Sequence, residues 1–131
     1  MSEPKSLPRR ILVVDDDDEA RLALRRMLEE AGFDVLEAPN GRVALGICRS
    51  HPLDVVITDI CMPEQEGLET IQALRREFPR VKLIAISGQP AAAVYLRMAK
   101  LLGAQATLEK PIRLETLLDT VGSVLAAEPG E

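Results

Sequence analysis

The chain has 131 residues, which suits one domain burying a single core without disulfide or metal staples. A net charge of −5 gives no reason to expect nucleic-acid binding, and no run approaches the ~18–20 apolar residues of a membrane span. The single histidine, His51, argues against a Ser/His or Cys/His catalytic pair and against a histidine-rich metal site. Cys48 and Cys61 form no C-x-x-C motif, and the first ten residues lack the apolar core of a secretion signal. A reduced, cytoplasmic protein is the expected setting.

Residues 1–9 carry two prolines and mixed charge and read as a flexible arm. Arg10 to Val14 reads as a short buried strand ending in four carboxylates, Asp15 to Asp18. Asp17 or Asp18 can cap the helix that follows, where Ala20, Leu24, Met27, Leu28 and Ala31 fall at helical spacing and Gly32 ends the run. Phe33–Ala38 is a second, weaker strand. Val43, Ala44, Ile47 and Cys48 form the stripe of a second helix, which ends near His51-Pro52.

Asp54–Gly67 is the stretch around which the rest is organised. Val55, Val56, Ile57 and Thr58 run without polar alternation into Asp59, as in a strand buried on both faces, and Pro63 and Gly67 break the turn behind it. A third helix uses Leu68, Ile71, Leu74 and Phe78. Lys82–Ile86 is a fourth strand and Ser87-Gly88-Gln89-Pro90 a loop. Ala91–Leu102 is a fourth helix, with Val94, Met98, Leu101 and Leu102 as its expected core stripe. Gln105–Glu109 is a fifth strand followed by Lys110-Pro111. The last helix uses Leu114, Leu117, Leu118, Val121 and Leu125, and residues 126–131 form a tail.

Five strands alternating with five helices imply an α/β fold, a parallel sheet covered on both faces. In such a sheet ligands lie at the carboxyl ends of the strands. Strand one brings Asp15 and Asp16 there, strand three Asp59, strand four Ser87 and strand five Lys110. Carboxylates ~4 Å apart repel by up to about 4 kcal/mol per pair at an effective dielectric near 20. A hard divalent cation such as Mg2+ resolves that conflict, and Lys110 and Ser87 could each serve a phosphoryl oxygen. Asp59 is then the expected nucleophile for a phosphoryl group.

These residues resemble the receiver domain of two-component response regulators. The match runs from about Arg10 to Leu125: V-V-D-D near the start, D-x-x-M-P-x-x-x-G at the centre, S-G after strand four and K-P after strand five. The resemblance implies a doubly wound, flavodoxin-like sheet in the order 2-1-3-4-5, with residues 10–125 as the receiver domain. It implies Asp59 as phosphoacceptor, Asp16 as direct metal ligand with Asp15 beside it, and Cys61 as a ligand through its backbone carbonyl. Ser87 and Lys110 match the family's hydroxyl and lysine, and the Lys110–Pro111 bond matches one that is cis. Cys61 and Gln89 match positions that flank the hydrolytic water.

The implied partners are a histidine kinase or histidine phosphotransfer protein as donor and a downstream protein or output domain as target, without direct nucleic-acid or membrane contact. Catalysis would extend only to the protein's own phosphorylation and dephosphorylation. Thr107 stands where the family usually has a switch aromatic, three residues before Lys110. Tyr95 and Leu96, with Thr107, are expected on a partly apolar face for a partner or a second copy in a homodimer.

Two other classes compete. A haloacid-dehalogenase-type phosphatase shares the D-x-D of Asp15-Asp16-Asp17, but the chain is short for its cap-bearing architecture. A phosphorylation-independent scaffold would lack an acidic or lysine position, and all are present.

Overall fold

In the computed structural model, which describes residues 8–60, 66–88 and 92–127, five hydrophobic runs pair side by side. They are β1 (Arg10–Val14), β2 (Asp34–Ala38), β3 (Val55–Asp59), β4 (Lys82–Ser87) and β5 (Ala106–Glu109). The sheet is parallel, as the alternation of elements implies, and its order β2-β1-β3-β4-β5 is the one that the resemblance implies. Between and after the strands come α1 (Asp18–Glu30), α2 (Gly41–Ser50), α3 (Glu66–Glu77), α4 (Ala92–Leu102) and α5 (Leu114–Ala126). None of these helices is long and apolar enough to cross a membrane.

Side-chain alternation along each strand divides the core into two layers. Ile11, Val13, Val55, Ile57, Ile84, Ile86 and Leu108 pack with Leu24 and Leu28 of α1 and Leu117, Val121 and Val124 of α5. Leu12, Val14, Val56, Leu83 and Ala85 face the other way, against Ala44 and Cys48 of α2, Leu68, Ile71 and Leu74 of α3, and Leu96 and Ala99 of α4. The register sets Thr58 level with Ala85 and Asp59 level with Ile86, so the end of β3 lies deep between its neighbours.

Local signals fix most boundaries. Asp17 caps α1, its carboxylate accepting from the Glu19 N–H at 3.0 Å. Asn40 caps α2 through the Val43 N–H at 2.9 Å. Gly32 and Gly103, at φ +98° and +121°, follow α1 and α4 in the left-handed region that glycine adopts without strain. Gln105 lies just outside β5, yet its N–H and its side-chain oxygen both bond the Leu83 backbone, so it ends the ladder rather than extending it.

Helix phase is where the structure departs from the sequence expectation. On α4 the expected core residues Val94, Met98 and Leu101 are exposed, Leu101 at 82 %, whereas Leu96 and Ala99 are buried. The assignment of Leu96 to an exposed face is therefore corrected. The cause lies in composition: α4 is apolar nearly all round, so two stripes satisfy helical spacing, and the one carrying the small Ala99 sits against the sheet. Val43 and Leu114 are likewise exposed rather than core.

Candidate functional site: an acidic cleft at the carboxyl edge of the sheet

The functional side chains lie at or just beyond the carboxyl ends of four strands. β1 ends at Val14, and the Asp15 N–H continues the pairing with β2 by donating to the Ala38 carbonyl at 3.1 Å. Asp15 keeps the phase of Ile11 and Val13, and Asp59 keeps that of Val55 and Ile57. Lys110 keeps the phase of Leu108, and its N–H donates to the Ser87 carbonyl at 2.9 Å. Period-two alternation alone thus brings two carboxylates and an ammonium to one side of the sheet edge.

The Lys110 ammonium donates to Asp59 Oδ2 at 2.9 Å and to Asp15 Oδ2 at 3.1 Å. The other Asp15 oxygen accepts the Asp17 N–H at 2.9 Å. Asp15 and Asp59 are 1 % and 5 % exposed, Ser87 is fully buried, and Asp16 stands exposed at the mouth. Oxygens of Asp15, Asp16 and Asp59 lie within 4.8 Å of one another.

Burial holds the Asp15 carboxyl above the ordinary aspartate range; the Asp59 charge adds to this, and the Asp17 N–H and Lys110 oppose it. Burial disfavours the Lys110 ammonium, but its bonds to Asp59 and Asp15 outweigh that and raise its pKa. The lysine is a fixed cation at neutral pH.

The donor set fits Mg2+. Three carboxylates and one ammonium among the described residues leave net negative charge in a half-buried cleft, and carboxylate oxygens with room for water are what this ion takes.

Two glycines allow the close packing behind the cleft. A Cβ on Gly67 would fall 2.3 Å from Ile60 Cα and 2.7 Å from the Asp59 carbonyl oxygen, so α3 starts directly against the end of β3. A Cβ on Gly88 would press on the Lys110 stem at 3.1 Å. These contacts explain the glycines of D-x-x-M-P-x-x-x-G and of S-G.

The structure brings Asp15, Asp16, Asp59 and Lys110 together, places Ser87 at the end of the adjacent strand β4, and shows Lys110–Pro111 in the cis form. Cys61 and Gln89 lie outside the described residues. Of the expected partner face, Leu96 is buried, Tyr95 is half-buried against the core, and Thr107 is half-buried in β5 level with Ala85. Nothing in the sequence singles out Arg21, which the structure ties to the Asp15 backbone; a charged residue on an amphipathic helix carries no local mark of its partners.

The profile of the response regulator receiver domain matches residues 11–122. The chain belongs to that family. It is 38% identical over 120 residues to response regulator MprA of Mycolicibacterium vanbaalenii, covering 91% of this chain and 51% of that protein. It is 36% identical over 121 residues to protein PilH of Pseudomonas aeruginosa, covering 89% of this chain and 98% of that one. The chain therefore spans about half the length of MprA and nearly all of PilH. Among solved structures, chemotaxis protein CheY4 of Vibrio cholerae superposes with a TM-score of 0.82 at 30% identity, over 90% of this receiver and 99% of that chain. Receiver domains are signalling modules of two-component systems, and the fold and order of this sheet are theirs.

Proposed function

We propose that this receiver accepts a phosphoryl group on Asp59 from a phosphohistidine of a histidine kinase or phosphotransfer protein and signals through altered protein contacts. The observation that carries the reading is the Asp15–Asp16–Asp59 cluster closed by Lys110. An Asp59 carboxylate oxygen attacks phosphorus, the P–N bond to the donor imidazole breaks, and the imidazole leaves with that electron pair. The product is an acyl phosphate on Asp59.

Lys110 already lies at hydrogen-bond distance from Asp59, so its ammonium can pass from the carboxylate to a phosphoryl oxygen with little movement. The Ser87 hydroxyl, at the end of β4, serves a second oxygen. Asp15 accepts a second hydrogen bond from Lys110 and so helps to orient it. Asp16, Asp59 and the Cys61 carbonyl, with Asp15 beside them, would hold Mg2+, which when bound neutralises the cluster and the incoming phosphoryl oxygens.

The phosphatase alternative would need Asp15 as nucleophile. Both of its oxygens are tied to the protein, one by the Asp17 N–H and one by Lys110, which suits a positioning role. The signal would pass to a downstream protein or an output domain. With Thr107 at the switch position, we infer that coupling runs through the backbone after Ser87 rather than through a ring.

The test is intact mass after incubation with acetyl phosphate, in Mg2+ and in a chelator. One HPO3 adduct formed only with Mg2+ supports the receiver reading. Sustained hydrolysis of phosphate esters would support an enzyme, and neither adduct nor turnover a scaffold.

A further inference from the structure

The loop between β1 and α1, which carries Asp15 and Asp16, is gripped from α1 by one side chain. Arg21 donates through Nη1 to the Asp15 carbonyl oxygen at 2.6 Å, through Nη2 to Asp18 at 2.6 Å and through Nε to Glu37 of β2 at 2.9 Å. Its side chain is only 14 % exposed. Glu37 is held in turn by Arg25 at 2.6 Å.

Asp16 is the exposed member of the carboxylate cluster, and none of the described residues bonds its side chain. Its direction is set by the backbone on either side. The peptide after it is fixed by the Asp17 N–H on Asp15 Oδ1 at 2.9 Å. The peptide before it is fixed by Arg21 on the Asp15 carbonyl.

We propose that Arg21 is a positioning residue for the cation site: by holding the plane of the Asp15–Asp16 peptide, it aims the Asp16 carboxylate without touching the ion. A planar guanidinium can make these three bonds from one rigid fork, whereas a lysine at this position cannot. Partners of this outer kind typically alter metal affinity by about 10–100-fold. The inference rests on the cluster binding a divalent cation, as proposed above.

The probe is Mn2+, titrated calorimetrically into the full chain as wild type, Arg21→Met, Arg21→Lys and Arg25→Met. Arg25 pairs with the same Glu37 from the same helix and with Glu29 within α1, and none of its bonds goes to the Asp15–Asp16 loop, so Arg25→Met measures lost pairing of α1 without loss of the grip on that loop. Arg21→Met is expected to bind Mn2+ at least about fivefold more weakly than Arg25→Met, with Arg21→Lys between them. A smaller difference overturns the inference. If Arg21→Met gives no cooperative melt, Arg21→Lys is read instead, with a loss of about threefold relative to Arg25→Met as the dividing line. A wild type that takes up no Mn2+ removes the cation reading and this inference together; a wild type and Arg21→Met that bind alike remove only the inference.

Discussion

The Lys110 ammonium sits between two buried carboxylates, 2.9 Å from Asp59 and 3.1 Å from Asp15. It is the counter-charge of the cleft and a competitor of any cation that enters. Lys110→Met should therefore have two opposite effects. Without divalent cation the domain loses about 1–3 kcal/mol, because two buried carboxylates lose a hydrogen-bond partner. Mn2+ binding, in contrast, tightens, because one positive charge no longer opposes the ion. Urea denaturation and calorimetric titration of the same variant read the two effects; weaker Mn2+ binding would contradict the competition.

Because burial outweighs its pairing with Lys110, Asp15 makes the stability of the metal-free domain depend on pH in the sense opposite to a carboxylate whose pairing dominates. Its folded-state pKa is raised, chiefly by burial, so the folded state holds the proton more tightly than the unfolded chain does. Stability from this group is present at low pH and is lost as pH rises from the ordinary aspartate range through the raised value. Asp15→Asn, which has no charge to bury, should remove this dependence and melt higher near pH 7 without Mg2+. A gain of ~1 kcal/mol corresponds to about 3–6 °C in a domain of this size. The check is a set of thermal melts from pH 4 to 7.5; a wild type more stable at pH 7 than at pH 5, with Asp15→Asn unchanged, would reverse the assigned sign.

Gly67 touches backbone, not side chains, so its neighbours cannot turn away. A methyl group there would overlap Ile60 Cα and the Asp59 carbonyl. Gly67→Ala should destabilise by about 2–4 kcal/mol in urea and disturb the end of β3. A loss under about 1 kcal/mol would show that α3 can back away from β3 without consequence.

The two faces of α4 separate cleanly by substitution. Leu96 is buried and Leu101 is 82 % exposed. Leu96→Ala should cost about 2–4 kcal/mol, and Leu101→Ala should stay within about 0.5 kcal/mol. Equal effects would contradict the observed phase. An association test on this helix belongs on Leu101 or Met98, because Leu96→Glu would bury a charge in the core.

What the sequence reveals here follows from how local each signal is. The central strands announce themselves as unbroken apolar runs, and the residue closing each run is placed by the sheet, so Asp15, Asp59 and Ser87 were legible at once; the weaker β5 left Lys110 to be marked by the proline behind it. Caps and stops such as Asp17 and Gly32 are equally local. The phase of α4 was not legible, since Val94, Met98 and Leu101 satisfy the same periodicity as the face that packs, and only the shape of the layer beneath distinguishes them. Arg21 and the contact of Gly67 with Ile60 are products of tertiary approach, between segments whose separation in the chain says nothing of their distance in space.

The most direct test of the central claim is to locate the phosphoryl group. The protein is incubated with acetyl phosphate and Mg2+, the acyl phosphate is reduced with borohydride, and the modified residue is found by peptide mass mapping, for wild type and Asp59→Asn. The account predicts homoserine at position 59 in the wild type and no modification in the variant. Modification at Asp15 or Asp16, or an undiminished adduct in Asp59→Asn, would contradict it.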